Sequence, residues 1–373
     1  MILKKCIRVL LEPVRILKMT IMEKLHSKRF FYKRSLPVEL QFPITYKCNF
    51  DCVMCGMHNL IQKGHMESED IKNILSDSLF RKVRSVGING GEPFLRGDLP
   101  ECIKAVITSL PELKIINIIS NGYCTDKIVR DLQVIKKMCG EYQIKLQVSF
   151  SLDGTDKMQD FMRGREGAFS HLMETIDILS KDKELYCDSL LMICTITKYN
   201  IYKIYEVEEW AEKYGIAVSY NVATINKRIA NEDRVSDFSV FSDEQARMLT
   251  QEFFYKKYYE TGNEKYYGLF LFVSEGKRYA GCPYMYNDGV TLTPDGSLCY
   301  CATHSDILED AKQKPAYEIF QKYDDYHTTL RNEKCATCSH YMYSLNSAGK
   351  RKLKHEKNNQ RKIALLIKLR RKS

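Results

Sequence analysis

Between residues 42 and 222 short apolar, β-branched runs alternate with longer stretches of helical periodicity, and no other feature limits the fold as strongly. The strand-like runs are residues 42–46, 85–89, 115–119, 143–151, 190–197 and 217–222; helical patterns fill the intervals, among them 68–79 (with Ser68 as the cap), 168–180 and 204–214. Strands separated by helices lie parallel, so the pattern predicts an α/β fold, either a parallel barrel or a doubly wound sheet. In both, the C-terminal ends of the strands share one face.

The first run feeds a loop reading Cys48-Asn49-Phe50-Asp51-Cys52-Val53-Met54-Cys55, a CxxxCxxC spacing. Three thiolates this close can hold three corners of a cubane 4Fe–4S cluster and leave one iron open to a small molecule. A zinc ion with a fourth ligand at His58 or His65 also fits the residue types, although structural zinc sites usually pair their cysteines as CxxC. Other strand ends carry Gly90-Gly91-Glu92-Pro93, Ser120-Asn121-Gly122, Ser151-Leu152-Asp153-Gly154 and Asn221. A parallel barrel would gather these around the cysteine loop. There two glycines allow close backbone approach, Glu92 suits an ammonium group, and Arg163, in Arg163-Gly164-Arg165, can grip a carboxylate. Singly, such sequences are common turns.

Taken in order over roughly residues 40–340, these motifs resemble the radical SAM superfamily: Cys48, Cys52 and Cys55 match its cysteine signature, and Gly90 to Pro93 match its Gly-Gly-Glu-Pro motif. The resemblance implies a partial parallel (β/α)6 TIM-like barrel over 39–240. It implies a 4Fe–4S cluster on the three cysteines, with S-adenosylmethionine (SAM) chelated at the open iron and cleaved to a 5′-deoxyadenosyl radical that abstracts a substrate hydrogen. Gly90, Gly91, Glu92 and Pro93 would then serve the cofactor, with Glu92 on the methionyl ammonium. Ser151 and Asp153 would serve its carboxylate or ribose, Arg163 (or nearby Arg165) its carboxylate, and Asn121 would neighbour the ribose. Position 54, often aromatic in the family, is methionine here and is expected to offer an apolar contact near adenine.

Farther along, Cys282 precedes a hairpin pattern, 290–301, that carries Cys299 and Cys301, and Cys335-Ala336-Thr337-Cys338 follows. As bare chemistry this four-cysteine set suits zinc as well as iron–sulfur. The layout resembles the truncated SPASM extension called twitch, a small C-terminal β-hairpin-plus-helix domain at 241–345, which implies an auxiliary 4Fe–4S cluster on Cys282, Cys301, Cys335 and Cys338. Cys299 competes with Cys301, since alternate residues of a strand share a face. The helix pattern at 243–259 is expected to bridge to this domain, its aromatics Phe253, Phe254, Tyr258 and Tyr259 packing rather than touching ligand. Cysteines 6, 102, 124, 139, 187 and 194 read as small apolar or helix-surface residues.

At 373 residues, with 44% hydrophobic composition, the chain is neither disordered nor a small disulfide scaffold. Its 14 cysteines and the charges breaking its apolar N-terminal stretch predict a reducing cytoplasm with metal-bound thiols rather than secretion. The net charge of +10 sits at the ends: residues 350–373 carry +10, residues 1–34 carry +8, and residues 35–349 carry −8. A nucleic-acid groove is therefore not expected. A basic amphipathic helical segment over 1–38 and a basic tail over 346–373 instead suggest peripheral contact with an anionic membrane, at the inner face. The expected reaction is oxidation or another radical modification of a sugar-like or lipid-linked small molecule, with electrons from a donor such as flavodoxin or ferredoxin. A peptide or protein maturase is the alternative, disfavoured by the short segment ahead of the barrel. A non-catalytic cluster-binding protein is a third reading. Tyr220, Asn221 and Arg228, after the last strand, are candidates to border the substrate.

Overall fold

The computed structural model describes residues 16–17, 19–20, 36–57, 64–340 and 342–370, the side chains of 361–370 excepted. The chain divides into two compact units. One comprises Ser35–Thr250 with Pro283–Lys334; the other holds Gln251–Cys282 and the chain from Cys335 on. The boundaries expected at 240 and 345 do not coincide with this division, because the hairpin joins the first unit.

The first unit is built on an open eight-stranded sheet of order β6-β5-β4-β3-β2-β1-β7-β8. Strands β1 (Glu39–Thr45), β2 (Ser85–Gly90), β3 (Ile115–Ser120), β4 (Lys145–Ser151), β5 (Ser189–Ile196) and β6 (Val218–Val222) all pair in parallel. This is the partial TIM-like barrel of six parallel strands that the resemblance implied. From Leu40 to Thr45, β1 is buried throughout, as expected of a parallel strand covered on both faces. Burial alternates along β3, which turns Ile116, Ile118 and Ser120 inward. Helices Leu99–Ser109, Thr125–Glu141, Ala168–Lys181 and Ile204–Tyr214 bury apolar stripes, including Ile103, Leu132, Leu172 and Val207. Each such side chain contributes about 1.5–3 kcal/mol on leaving water. Cys102, Cys139, Cys187 and Cys194 are buried among them as small apolar residues.

Two local expectations change. The helix at 68 spans only Ser68–Leu75; Glu67, one residue earlier, is its cap and donates its N–H to Asp70 Oδ2 at 3.3 Å. Asp77 then accepts the Leu79 N–H at 2.8 Å and starts a separate 3-10 turn, Ser78–Phe80. The hairpin strands are β7 (Gly289–Leu292) and β8 (Leu298–Cys299). Here β7 lies parallel to β1, Leu40 facing Val290, and antiparallel to β8. The hairpin thereby satisfies the open edge of β1 instead of standing as part of a separate domain.

In the second unit, helix Glu264–Glu275 and the part of helix Glu244–Thr261 beyond Thr250 pack aromatic rings together. Tyr258 meets Tyr267 with ring centroids 5.2 Å apart, and Tyr255 meets Phe270 at 5.0 Å. Phe253, Phe254 and Tyr258 are buried, the packing role expected of them. The basic C-terminal segment is helix Ser347–Arg370, not a tail. Its composition favours helix, and acids take up part of its charge: Lys352 pairs with Glu275 at 2.8 Å, and Lys350 pairs with Glu264. No helix among the described residues is long and apolar enough to cross a membrane. Most of the expected N-terminal helical segment lies outside the described residues, as does Cys6.

Candidate functional site

The strand ends of the first unit converge as the parallel order requires. The Gly91 N–H donates to Thr45 O and the Glu92 N–H to Lys47 O, each at 2.8 Å, so the Gly-Gly-Glu-Pro loop lies against the segment entering Cys48. Glycine is needed for this. Gly90 has φ +129°, and a Cβ on Gly91 would sit 2.0 Å from Lys47 O. Arg96, not singled out from the sequence, is 3% exposed and fixes the same segment from behind. Its guanidinium donates to Ile44 O and Met66 O at 2.9 Å and pairs with Asp98 at 2.6 Å.

Each sulfur of the cysteine loop faces a hydrogen-bond donor. The Met57 N–H meets Cys55 Sγ at 3.4 Å, the Phe50 N–H serves Cys48, and Arg163 Nη1 lies 3.8 Å from Cys52 Sγ. Burial pushes the thiols up, Cys48 to about 11 and Cys52 to about 12. Without metal they are therefore neutral, and binding one would release protons. Three sulfurs with donors aimed at them fit an anionic thiolate cluster, whose sulfurs are stabilised in just this way. Of the zinc ligands considered, His58 lies outside the described residues and His65 is half-buried. Among the described residues no three His, Cys, Asp or Glu side chains are grouped to hold a single metal ion.

Glu92 is 1% exposed. It accepts from the Phe94 N–H (3.1 Å), the Ser120 hydroxyl (2.8 Å) and the Asn121 N–H (2.7 Å), with no cation paired to it among the described residues. Burial raises its pKa to about 7, the three donors only partly opposing this. Pro93 opens the 3-10 turn that presents the Phe94 N–H. Asn121 binds Asn49, beside Cys48, through Nδ2 at 2.8 Å and accepts the Tyr123 N–H at 3.0 Å. The β3 end is thus tied to both the carboxylate and the cysteine loop.

Asp153 is fully buried. Its Oδ1 accepts the Thr195 N–H at 2.7 Å, and its Oδ2 lies 2.7 Å from Arg163 Nη2. Burial opposes the Arg163 charge, but Asp153 and the Cys52 sulfur outweigh it and raise the guanidinium pKa. Arg163 Nε is buried with no hydrogen-bond partner. Gln159, also missed from sequence, braces the turn by bonding the Asp153 N–H (2.7 Å) and Ser151 O (2.8 Å). Ser151 itself is half-exposed at the end of β4.

The loop after β6 clamps the cysteine loop from the other side. Gly56 N–H donates to Ile229 O at 2.8 Å, and Asn231 Nδ2 donates to Met54 O at 2.9 Å and Thr224 O at 3.1 Å. Met54, expected to offer an apolar contact near adenine, is buried against Met162, Ala223 and Phe238. Replacing Asn231 by alanine is expected to lower unfolding stability by about 1–3 kcal/mol, because buried carbonyls lose their donor. Denaturant titration would read this, and an unchanged midpoint would contradict the clamp. Of the substrate-border candidates, Tyr220 is buried, Asn221 half-buried, and Arg228 lines a cavity with Tyr46 and Cys301.

The later cysteines fall in both units: Cys301 in the first, Cys282, Cys335 and Cys338 in the second. Cys301 lies past the end of β8, is half-exposed, and has the His304 N–H 3.4 Å from its sulfur; Cys299 is buried, and that burial pushes its thiol to about 12. In the second unit His340 N–H meets Cys338 Sγ at 3.4 Å. There the buried Arg278 donates to the carbonyls of Ala280, Gly281, Cys338 and His340, tying the segments that carry Cys282 and Cys338.

Residues 42–211 match the family model described as the radical SAM superfamily. The chain is 24% identical over 289 residues to GTP 3′,8-cyclase of Sulfurimonas denitrificans, covering 73% of this chain and 83% of the relative. It is 23% identical over 278 residues to a probable GTP 3′,8-cyclase of Archaeoglobus fulgidus, covering 72% and 87%. The solved structure of native anSMEcpe with bound AdoMet superposes with a TM-score of 0.60 at 16% identity, covering 89% of this chain and 100% of that one. Streptococcus suis SuiB bound to precursor peptide SuiA superposes at 0.56 and 18%, covering 86% and 73%. At these identities the superpositions establish the fold. Over residues 42–211 the chain thus matches the radical SAM superfamily, whose enzymes use a 4Fe–4S cluster and SAM.

Proposed function

We propose that Cys48, Cys52 and Cys55 hold the 4Fe–4S cluster, and that Glu92 and Arg163 orient SAM against it. The observation carrying this reading is Glu92, a buried carboxylate with three donors and, among the described residues, no cation of its own. An incoming ammonium supplies the missing charge. Arg163 meets the cofactor carboxylate while Asp153 positions it, and Asn121 holds Asn49 and the cysteine loop beneath the ribose. Gly90, Gly91 and Pro93 shape the turn that carries Glu92, and Ser151 closes the β4 side. When bound, the cluster supplies the electron that cleaves SAM, and the resulting radical abstracts a hydrogen from substrate. An external reductant of the flavodoxin or ferredoxin type provides that electron.

An auxiliary 4Fe–4S cluster of the twitch type on the later cysteines completes the proposal. Its support is the pair of N–H···S contacts at Cys301 and Cys338. The half-exposed Cys301 is preferred over the buried Cys299. A small-molecule substrate suits the cavity beside the cysteine loop, of about 400 Å3. Oxidation of a sugar-like molecule remains the finer reading, with nucleotide cyclisation favoured by the relatives named GTP 3′,8-cyclase.

Anaerobic reconstitution with iron and sulfide counting, followed by assay of 5′-deoxyadenosine release, tests the reading. About eight irons per chain with release supports two cubanes; zinc without SAM cleavage sinks it. The carboxylate adds a pH signature. Glu92 lies at about 7 in the folded protein against an ordinary 4.5, so without ligand the folded state keeps a proton that the unfolded chain has lost. Its contribution to stability is present below pH 4.5 and falls as pH rises through about 7. SAM affinity runs the opposite way, rising through that interval as the carboxylate forms. Glu92→Gln is expected to weaken SAM binding about 10–100-fold and to flatten that rise, as equilibrium dialysis at several pH values would show.

A further inference from the structure

The cavity of about 400 Å3 in the first unit has walls that include Tyr46, Arg228, Thr291, Cys301 and Asp306. Two buried polar groups on those walls lack a hydrogen-bond partner: the Nε and Nη1 nitrogens of Arg228, and Oγ1 of Thr291, a residue 1% exposed. Such groups are costly to leave unpaired, and together they make a site prepared for a ligand. Their neighbours are already engaged. Lys227 pairs with Asp306 at 2.5 Å, Asp306 also accepts from the Tyr326 hydroxyl at 3.1 Å, and the Tyr46 hydroxyl donates to Asp295 at 3.2 Å. Among the described residues lining the cavity, Arg228 is therefore the cation with no acidic partner. The Arg228 backbone N–H is held by Asn226 Oδ1 at 3.1 Å, and the charge acts on Cys55 as one of the lesser influences on that thiol, after burial and the Met57 N–H.

We propose that this cavity binds a substrate with a single oxyanion group, a carboxylate or one phosphate, seated on Arg228 and hydrogen-bonded by Thr291. The proposal rests on the reading that radical chemistry occurs at the neighbouring cysteine loop. One unpaired guanidinium balances one such group. A nucleoside triphosphate brings several more negative charges than Arg228 can offset, since Lys227 is taken up by Asp306, and its own like charges held together in a partly dry cavity repel. The substrate therefore differs in charge from the GTP that the relatives are named for.

Calorimetric titration of the reconstituted full chain with ribose 5-phosphate, glucuronate and GTP tests this and separates phosphate from carboxylate. At least one of the first two is expected to bind, with GTP weaker by about tenfold or more. Arg228→Gln is expected to cost that probe about tenfold or more in affinity, Arg228→Lys less, and Thr291→Val a smaller amount. Melting temperatures of the three variants control for folding. GTP binding more tightly than both single-oxyanion probes overturns the proposal, as does failure of both to bind or an unchanged probe affinity in Arg228→Gln. SAM affinity is measured on the same samples. Its loss in Arg228→Gln would assign the guanidinium to the cofactor and also overturn the proposal. Wild-type protein that binds the single-oxyanion probe through Arg228 but not SAM would support the oxyanion site while sinking the cofactor reading, so the two failures are distinguishable.

Discussion

Cys52→Ser is expected to lose about four irons per chain and to reduce 5′-deoxyadenosine formation by about three orders of magnitude or more, the loss anticipated for a three-ligand cubane reduced to two. The substitution is nearly isosteric, so its effect isolates the thiolate. Burial has already pushed the Cys52 thiol to about 12, and only a bound metal would draw its proton off. A serine hydroxyl is a far weaker acid. Arg163, whose Nη1 lies 3.8 Å from the sulfur, favours an anion there, but one guanidinium contact does not ionise an alcohol. Cys102→Ser and Cys139→Ser provide the control. Both thiols are buried outside the proposed ligand set, Cys102 donating to Asp98 Oδ2 at 3.4 Å, so their replacement should leave the iron content alone. Iron counting and the nucleoside assay on the three variants decide it; full iron retention in Cys52→Ser would remove Cys52 from the ligand set.

Asp153→Asn is expected to be the most destabilising single change at the site, by about 3–5 kcal/mol, because it leaves a buried guanidinium without its counter-charge. The amide keeps the shape and can still accept the Thr195 N–H through its oxygen. What it cannot do is offset the Arg163 charge across 2.7 Å in a site where Asp153 has no exposed surface. Arg163 should then turn away, taking with it the group proposed to face the cofactor carboxylate, and SAM affinity should fall with stability. The double variant Asp153→Asn/Arg163→Gln tests the cause. Removing both charges should recover stability but not SAM binding. Denaturant titration of both variants would show this, and a single variant within about 1 kcal/mol of the wild type would mean the pair is dispensable.

The chemistry of the site was legible wherever it sat at a strand end. Cys48 to Cys55, Gly90 to Pro93, Asn121 and Asp153 stand out because a parallel sheet has one functional face, and alternation alone reveals the sheet. The residues that hold those groups in place were not legible. Arg96 reaches Ile44 O and Met66 O, Asn231 reaches Met54 O, and Gln159 braces Asp153, all as hydrogen bonds between segments whose pairing has no local pattern. The hairpin was recognisable from its turn, but its union with β1 was not, since strand pairing across about 250 residues depends on which edge the folded sheet leaves open. The C-terminal segment was read as a tail because its charge is conspicuous. As a helix it pairs Lys350 and Lys352 with acids at Glu264 and Glu275 that are distant in sequence.

The parallel pairing of β7 with β1 also bears on how the chain can be cut. The segment 42–211 that matches the family looks self-contained, yet it omits β6 at one side of the sheet and β7 at the other. A fragment ending before Gly289 would bare the peptide groups of β1 that face β7 in the intact chain, along Glu39 to Gln41. An apolar strand with an open ladder edge is a template for another copy of itself. The short hairpin that carries Cys301 therefore also works as a guard against self-association, so losing it would cost solubility even before any cofactor is considered.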